Sequence, residues 1–173
     1  MFRSLCIAVA MYSKLPAPRV EWDKKSLSWA MCFFPVVGVV IALLLGIWLG
    51  LWEMLDYGPF LRAAVSLLLP IAVSGAIHLD RFCDTSDALR YHQSREKKLE
   101  ILKDSHTGAF AIICCCLYLI FFFSVWCEVE PEGRTLWVLS LGPVLSRSFS
   151  GLAAVSWPNA RGSGLLATFT PPL

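Results

Sequence analysis

Three aspartates stand at helical spacing in the stretch from His78 to Asp87: Asp80, Asp84 and Asp87, with Arg81 between the first two. On a helix each residue turns by about 100°, so the three carboxylates fall within about 60° of arc and His78 points to nearly the opposite side. Like charges at i, i+4 and i+7 repel one another. A bound cation relieves that repulsion, and so does full exposure to water. Hard divalent cations such as Mg²⁺ take carboxylate oxygens and bridge to substrate phosphates, which makes phosphate chemistry one reading of the pattern. A solvated acidic face, with Arg81 and Arg90 as neighbours, is the other.

A second polar group follows at Lys103, Asp104, Ser105, His106, Thr107 and Gly108. Asp104 could add a fourth carboxylate, Lys103 could meet phosphate, and Gly108 would let backbone approach closely. The plainer alternative is a helix cap made by Asp104 or Ser105. His78, His92 and His106 form no HxxxH pair, and each reads more readily as a polar spacer than as a ligand. Arg147 lies within an apolar stretch. A cation there is costly and marks function by default, unless the span ends before it and the side chain snorkels to the interface.

The elements that must position these groups are apolar helices. The chain has 173 residues, of which 57% are apolar and only 16% charged, with mean hydropathy +0.63. Residues 26–52, 63–79 and 107–127 carry no charge, and 135–160 carry only Arg147. About 20 helical residues cross a 30 Å hydrocarbon core, so the first and third stretches suffice alone. The second is marginal and gains from Phe60 and Leu61, and the fourth is interrupted at Gly142 and Pro143. The expectation is an all-α, multi-pass membrane protein with about four transmembrane helices, forming one integral-membrane domain over 1–173. The seven cysteines contain no CxxC pair and read as small apolar residues rather than zinc ligands or disulfides. Arg3 precedes too short an apolar stretch to read as a signal peptide. A net charge of +2 and the lack of a basic run with aromatics argue against nucleic acid. Ser94 reads as the N-cap of a short surface helix with half a capping box.

Lys and Arg are abundant before the first span and again from Arg81 to Lys103, and sparse in the loops holding Arg62 and Arg134. The positive-inside rule then places the N-terminus and both aspartate groups in the cytoplasm. A transporter or structural subunit is the non-enzymatic alternative, but neither repeated halves nor mid-span carboxylates are visible.

Together these residues resemble the cobalamin synthase family (adenosylcobinamide-GDP ribazoletransferases). Tyr12, Lys14, Leu15, Pro16 and Pro18 resemble its leucine-proline-x-proline start, and Phe34, Pro35 and Gly38 its FPxxG signature. Gly75, His78, Leu79, Asp80, Asp84 and Asp87 resemble its GxHLDGxxDxxD core. Ser94, Arg95, Leu99, Lys103, Asp104, Ser105 and Gly108 resemble its SRxxxLxIMKDSxxG block. Ser146 with Arg147 matches a later Ser-Arg pair, and Gly164 with Leu165 a GLG-type segment. The resemblance implies a transferase of the bacterial inner membrane that joins adenosylcobinamide-GDP to α-ribazole or its 5′-phosphate, releasing GMP. It implies Mg²⁺ held by Asp80, Asp84, Asp87 and Asp104, which would also be the catalytic carboxylates. Substrate would meet His78, Lys103, Ser105 and Arg147. The partners expected are the two substrates and the lipid bilayer, without nucleic acid, with homo-oligomers left open. CDP-alcohol phosphotransferases are the alternative enzyme class, but their D-x₂-DG-x₂-AR spacing is lacking.

The chain departs from the family pattern in two places. Arg81 stands where the family has Gly; paired with Asp84, it would compete with Mg²⁺ for the same oxygens. The chain also stops at Leu173, where the family continues, so it reads as an N-terminal portion of the family's domain, and weak or absent turnover is expected.

The topology is testable by labelling single cysteines placed at Asp56, His92 and Pro131. Positions 56 and 131 should react with an impermeant thiol reagent from outside, and position 92 only after the membrane is opened. Labelling of position 92 from outside would reverse the assignment.

Overall fold

A computed structural model describes residues 1–55, 57–90, 94–103, 106–130, 132–159 and 169, with Glu53 by its backbone alone. Among the described residues all regular structure is helical. The helices are α1 (Phe2–Tyr12), α2 (Lys24–Ser28), α3 (Phe34–Leu55), α4 (Pro59–Ser74), α5 (Ile77–Arg90), α6 (Arg95–Ile101), α7 (Ala109–Glu128) and α8 (Arg134–Ser156), with a 3-10 turn at Ala30–Phe33 before α3.

The turn with most of α3, together with α7 and α8, gives three helices long and apolar enough to cross a membrane, and α4 with α5 forms a fourth candidate bent by 91°. Large apolar side chains point outward along these helices. Ile112, Leu117, Ile120 and Phe121 on α7 and Trp137, Leu141, Leu145 and Leu152 on α8 are all more than half exposed. A soluble protein rarely shows contiguous apolar surface on that scale; hydrocarbon is the solvent that suits it, and helices satisfy their own backbone there. The protein is an all-α, multi-pass membrane protein. α1 is 11 residues long, too short to cross, and packs against the 3-10 turn and α2 through Ile7, Ala8 and Ala30.

The core is built on α3, which packs most extensively against α8 and also against α4. Leu45 and Leu49 of α3, Ala63 and Leu67 of α4 and Trp126 of α7 form its buried centre. Small residues recur every fourth position on α3, at Gly38, Ala42, Gly46 and Gly50, the spacing that lets membrane helices approach closely. At Gly38 the approach is backbone to backbone: an added Cβ would lie 2.8 Å from the Pro143 carbonyl oxygen and 2.9 Å from the Val144 Cα. Pro143 does not end the fourth apolar stretch, because α8 runs on through it to Ser156.

Gly38→Val should therefore lower stability by roughly 1–3 kcal/mol through overpacking. Gly50→Ala, whose Cβ would meet nothing within 4 Å, should be neutral or stabilising through helix propensity. Thermal unfolding of the two variants in detergent checks the pair.

Candidate functional site

The second apolar stretch does not run straight into the aspartates. Gly75 (φ 64°) and Ala76 (φ 61°) are both left-handed, and the chain turns by 91° between α4 and α5. The turn is closed by Gly75 N–H donating to the Ala72 carbonyl (3.1 Å) and Ala76 N–H to the Ile71 carbonyl (2.9 Å), while the Ala76 carbonyl accepts from Asp80 N–H (2.8 Å) to start α5. Lys14 N–H donates to the Val73 carbonyl (2.8 Å). Its side chain runs over Gly75, where an added Cβ would come within 2.5 Å of it. The proline-flanked lead-in segment and the glycine of the aspartate motif thus meet at this bend.

α5 (Ile77–Arg90) presents its aspartates at the expected spacing, but their environments differ. Asp80 is exposed, Asp84 half-buried and Asp87 buried. Arg81 Nη1 donates to Asp84 Oδ2 at 2.9 Å, the pairing its position suggests; with Arg81 69% exposed, water screens much of its strength. Asp87 does something the sequence did not disclose. Its Oδ2 accepts from Gly108 N–H (2.6 Å) and its Oδ1 from Ala111 N–H (2.9 Å), so it caps the N-terminus of α7 from another helix. An anion there also meets the positive end of the helix dipole. Gly108 is required because a Cβ would fall 2.5 Å from Asp87 Oδ2. The first turn of α7 thus rests on Asp87, while Asp104 and Ser105, the sequence-based capping candidates, lie outside the described residues, as do Asp56, His92, Gly164 and Leu165.

On another face of α5, His78 and Phe82 line a half-open cavity of about 560 Å³ together with residues of α3, α4, α7 and α8. Arg147 lines it from α8, half-buried within a helix that continues past it. Its span does not end at that residue. The His78 ring packs on Phe34 (centroids 5.7 Å apart) and the Arg147 guanidinium lies 5.9 Å from the same ring. The structure therefore brings His78, Arg147 and the phenylalanine of the FPxxG signature together. It does not bring the aspartates into that cavity. Lys103 lies elsewhere, on an exposed depression with Lys97 and Glu100 beyond α6. Ser94 caps α6 by accepting from Lys97 N–H, as expected.

Among the described residues no three His, Cys, Asp or Glu side chains gather into a metal cage. The α5 donor set matches instead the way Mg²⁺ is often held, by one or two carboxylates completed by water and phosphate. Asp80 is exposed and Asp84 follows a turn later, with one oxygen bound to Arg81. Asp87, with both oxygens on backbone N–H groups, has a structural task of its own. Sequence reasoning also missed Arg62, read as a loop charge. It is 4% exposed in the first turn of α4, donates from Nη2 to the Trp126 and Cys127 carbonyls (3.4 and 3.3 Å) and stacks on Trp52 at 4.4 Å.

The sequence matches the protein family described as Cobalamin-5-phosphate synthase over residues 4–172. Among curated relatives, the adenosylcobinamide-GDP ribazoletransferase of Lachnoclostridium phytofermentans is 42% identical over 166 residues, which cover 96% of this chain and 63% of that protein. The protein of the same name from Clostridium perfringens (strain 13 / Type A) is 33% identical over 155 residues, covering 90% and 62%. That of Desulfitobacterium hafniense is 32% identical over 166 residues, covering 94% and 65%. The chain thus spans less than two thirds of the length of these relatives. No solved structure matches.

Replacing Asp87 by Ala leaves two N–H groups at the start of α7 without their acceptor, and should cost about 1–3 kcal/mol. Asp80→Asn, on an exposed side chain, should change stability by no more than about 0.5 kcal/mol. Denaturation in detergent compares them; equal effects would show that the cap carries no weight.

Proposed function

The chain belongs to the cobalamin-5-phosphate synthase family, and on that premise we propose that it takes part in joining adenosylcobinamide-GDP to α-ribazole or its 5′-phosphate. The match over residues 4–172 carries this reading. In the reaction a ribazole hydroxyl oxygen attacks the phosphorus attached to cobinamide. The bond from that phosphorus to the GMP oxygen breaks, and GMP leaves. The hydroxyl proton passes to a carboxylate, for which Asp80, exposed on α5, is the acceptor of choice. Phosphoryl transfer of this kind depends mainly on positioning and charge neutralisation.

Asp80 and Asp84 would hold Mg²⁺, with Asp104 as a further ligand. When bound, the ion supplies neutralisation of phosphate charge. Asp87 holds the start of α7, and with it Gly108, against α5. Arg147 and Lys103 supply cations for phosphate oxygens, and His78 and Ser105 complete the substrate contacts. The excess of Lys and Arg beside α5 and α6 favours a cytoplasmic location for this chemistry at the inner membrane.

The test is ribazole transfer on membranes carrying the chain, read as GMP release and formation of the joined corrinoid. Asp80→Asn, made in the chain joined to the C-terminal third of its Lachnoclostridium phytofermentans relative, should lower the rate by about a hundredfold or more, the range expected of a general base. Added Mg²⁺ should raise the unfolding temperature, as a ligand of the native state must. Arg81→Gly, which frees Asp84, should shift that response to lower Mg²⁺ concentration. A response unchanged in Asp80→Asn combined with Asp84→Asn would leave α5 as a solvated acidic face.

A further inference from the structure

α7 and α8 follow one another through a short loop, yet they do not pack along one another. α8 packs on α3, and α7 packs on α4 and α5. Consecutive antiparallel helices joined by so few residues ordinarily lie side by side. Here the half-open cavity of about 560 Å³ separates them, floored by α4 and by Leu45 of α3. It is a groove along the helices, running from Val129 and Val138 beside the loop to Tyr118 and Arg147. The helical residues from Val138 to Arg147 span about 13 Å.

α8 turns two different faces outward. Trp137, Leu141, Leu145 and Phe149 recur every fourth residue and are each more than half exposed, a face that suits acyl chains. The groove face carries Val138, Gly142 and Ser146 at the same spacing, with Arg147 beside them. Ser146 is exposed, and a Cβ added at Gly142 would meet nothing within 4 Å. Small residues four apart let a second membrane helix approach closely. A charged side chain within a span turns toward protein or a water-filled space rather than lipid. Among the described residues the Arg147 guanidinium meets Ser146 Oγ (3.3 Å) and the Phe34 ring, and pairs with no carboxylate. These are the marks of a helix-packing face, not of a lipid-facing one.

The relatives have chain to supply such a helix. The 166 matched residues are 63% of the Lachnoclostridium phytofermentans protein, which leaves on the order of 100 residues outside the match, several times the roughly 20 that one span requires. We propose that the groove between α7 and α8 is the seat of a transmembrane helix from the C-terminal third of the family's domain. That helix turns small residues toward Gly142 and Ser146, and it covers Arg147 from the lipid. The inference rests on family membership and is independent of the transferase reading.

The test joins the chain to the C-terminal third of the Lachnoclostridium phytofermentans relative, with a protease site at the junction. A photoreactive benzoylphenylalanine replaces either Val138, in the groove, or Trp137, on the outer face of α8. After irradiation in the membrane and cleavage at the junction, the probe at position 138 should hold the C-terminal part covalently. The probe at position 137 should not. Gly142→Leu, which fills the seat from an unobstructed position, should abolish the cross-link from position 138. Gly50→Leu, also unobstructed but outside the groove, should leave it intact. If the probe at position 138 captures phospholipid or a second copy of the protein instead of the C-terminal part, the groove belongs to that occupant and the proposal is wrong. Equal capture of the C-terminal part from positions 137 and 138, or a cross-link that survives Gly142→Leu, overturns it as well.

Discussion

Everything near the aspartates depends on satisfying the backbone through a sharp bend. A helix that breaks beside hydrocarbon exposes N–H and C=O groups that find no water, each costing several kcal/mol. Here the break at Gly75 and Ala76 leaves few loose ends. Two N–H groups turn back onto α4, the Ala76 carbonyl starts α5, and the Val73 carbonyl accepts from Lys14 N–H. Only because these groups are paired can α5 leave the direction of α4, with His78 turned toward Phe34 and Asp80 facing outward.

The bend gives the two arms of one chain segment different partners on α7. Asp87, on the second arm, takes the N–H groups at the start of α7. Arg62, on the first arm, takes carbonyls at its end. A negative group at the N-terminus and a positive one at the C-terminus both oppose the helix dipole. α7 has little buried side-chain surface of its own, with Ala111 and Trp126 as its buried residues. Its register against α4 and α5 is therefore set at its ends, where charge and backbone meet, as well as by the aromatic contacts between them.

Much of this fold was legible in the sequence. Long uncharged stretches specify membrane helices because hydrocarbon length is fixed. The 3.6-residue period placed the aspartates on one face and His78 on another. The Ser94 cap was readable from local chemistry. What failed to show was non-local. Asp87 reaches a backbone N–H 21 residues away and Arg62 a carbonyl 64 residues away; neither leaves a spacing signature, and each resembled an ordinary charge. The bend was hidden because Gly75 sits inside an apolar run and Ala76, a strong helix former, adopts a left-handed backbone. Pro143 pointed the other way: it read as an interruption, yet α8 passes through it, with Gly38 of α3 against its carbonyl.

Arg62 also imposes an order on biogenesis. As ribosomes deliver the chain from its N-terminus, the second apolar segment enters the bilayer before the Trp126 and Cys127 carbonyls have been made. A bare guanidinium at that moment would resist leaving the aqueous channel. Trp52, synthesised ten residues earlier and lying 4.4 Å from the guanidinium, offers its ring as a provisional partner. In the finished fold the indole keeps its place against the guanidinium, and α7 adds two carbonyl oxygens to it.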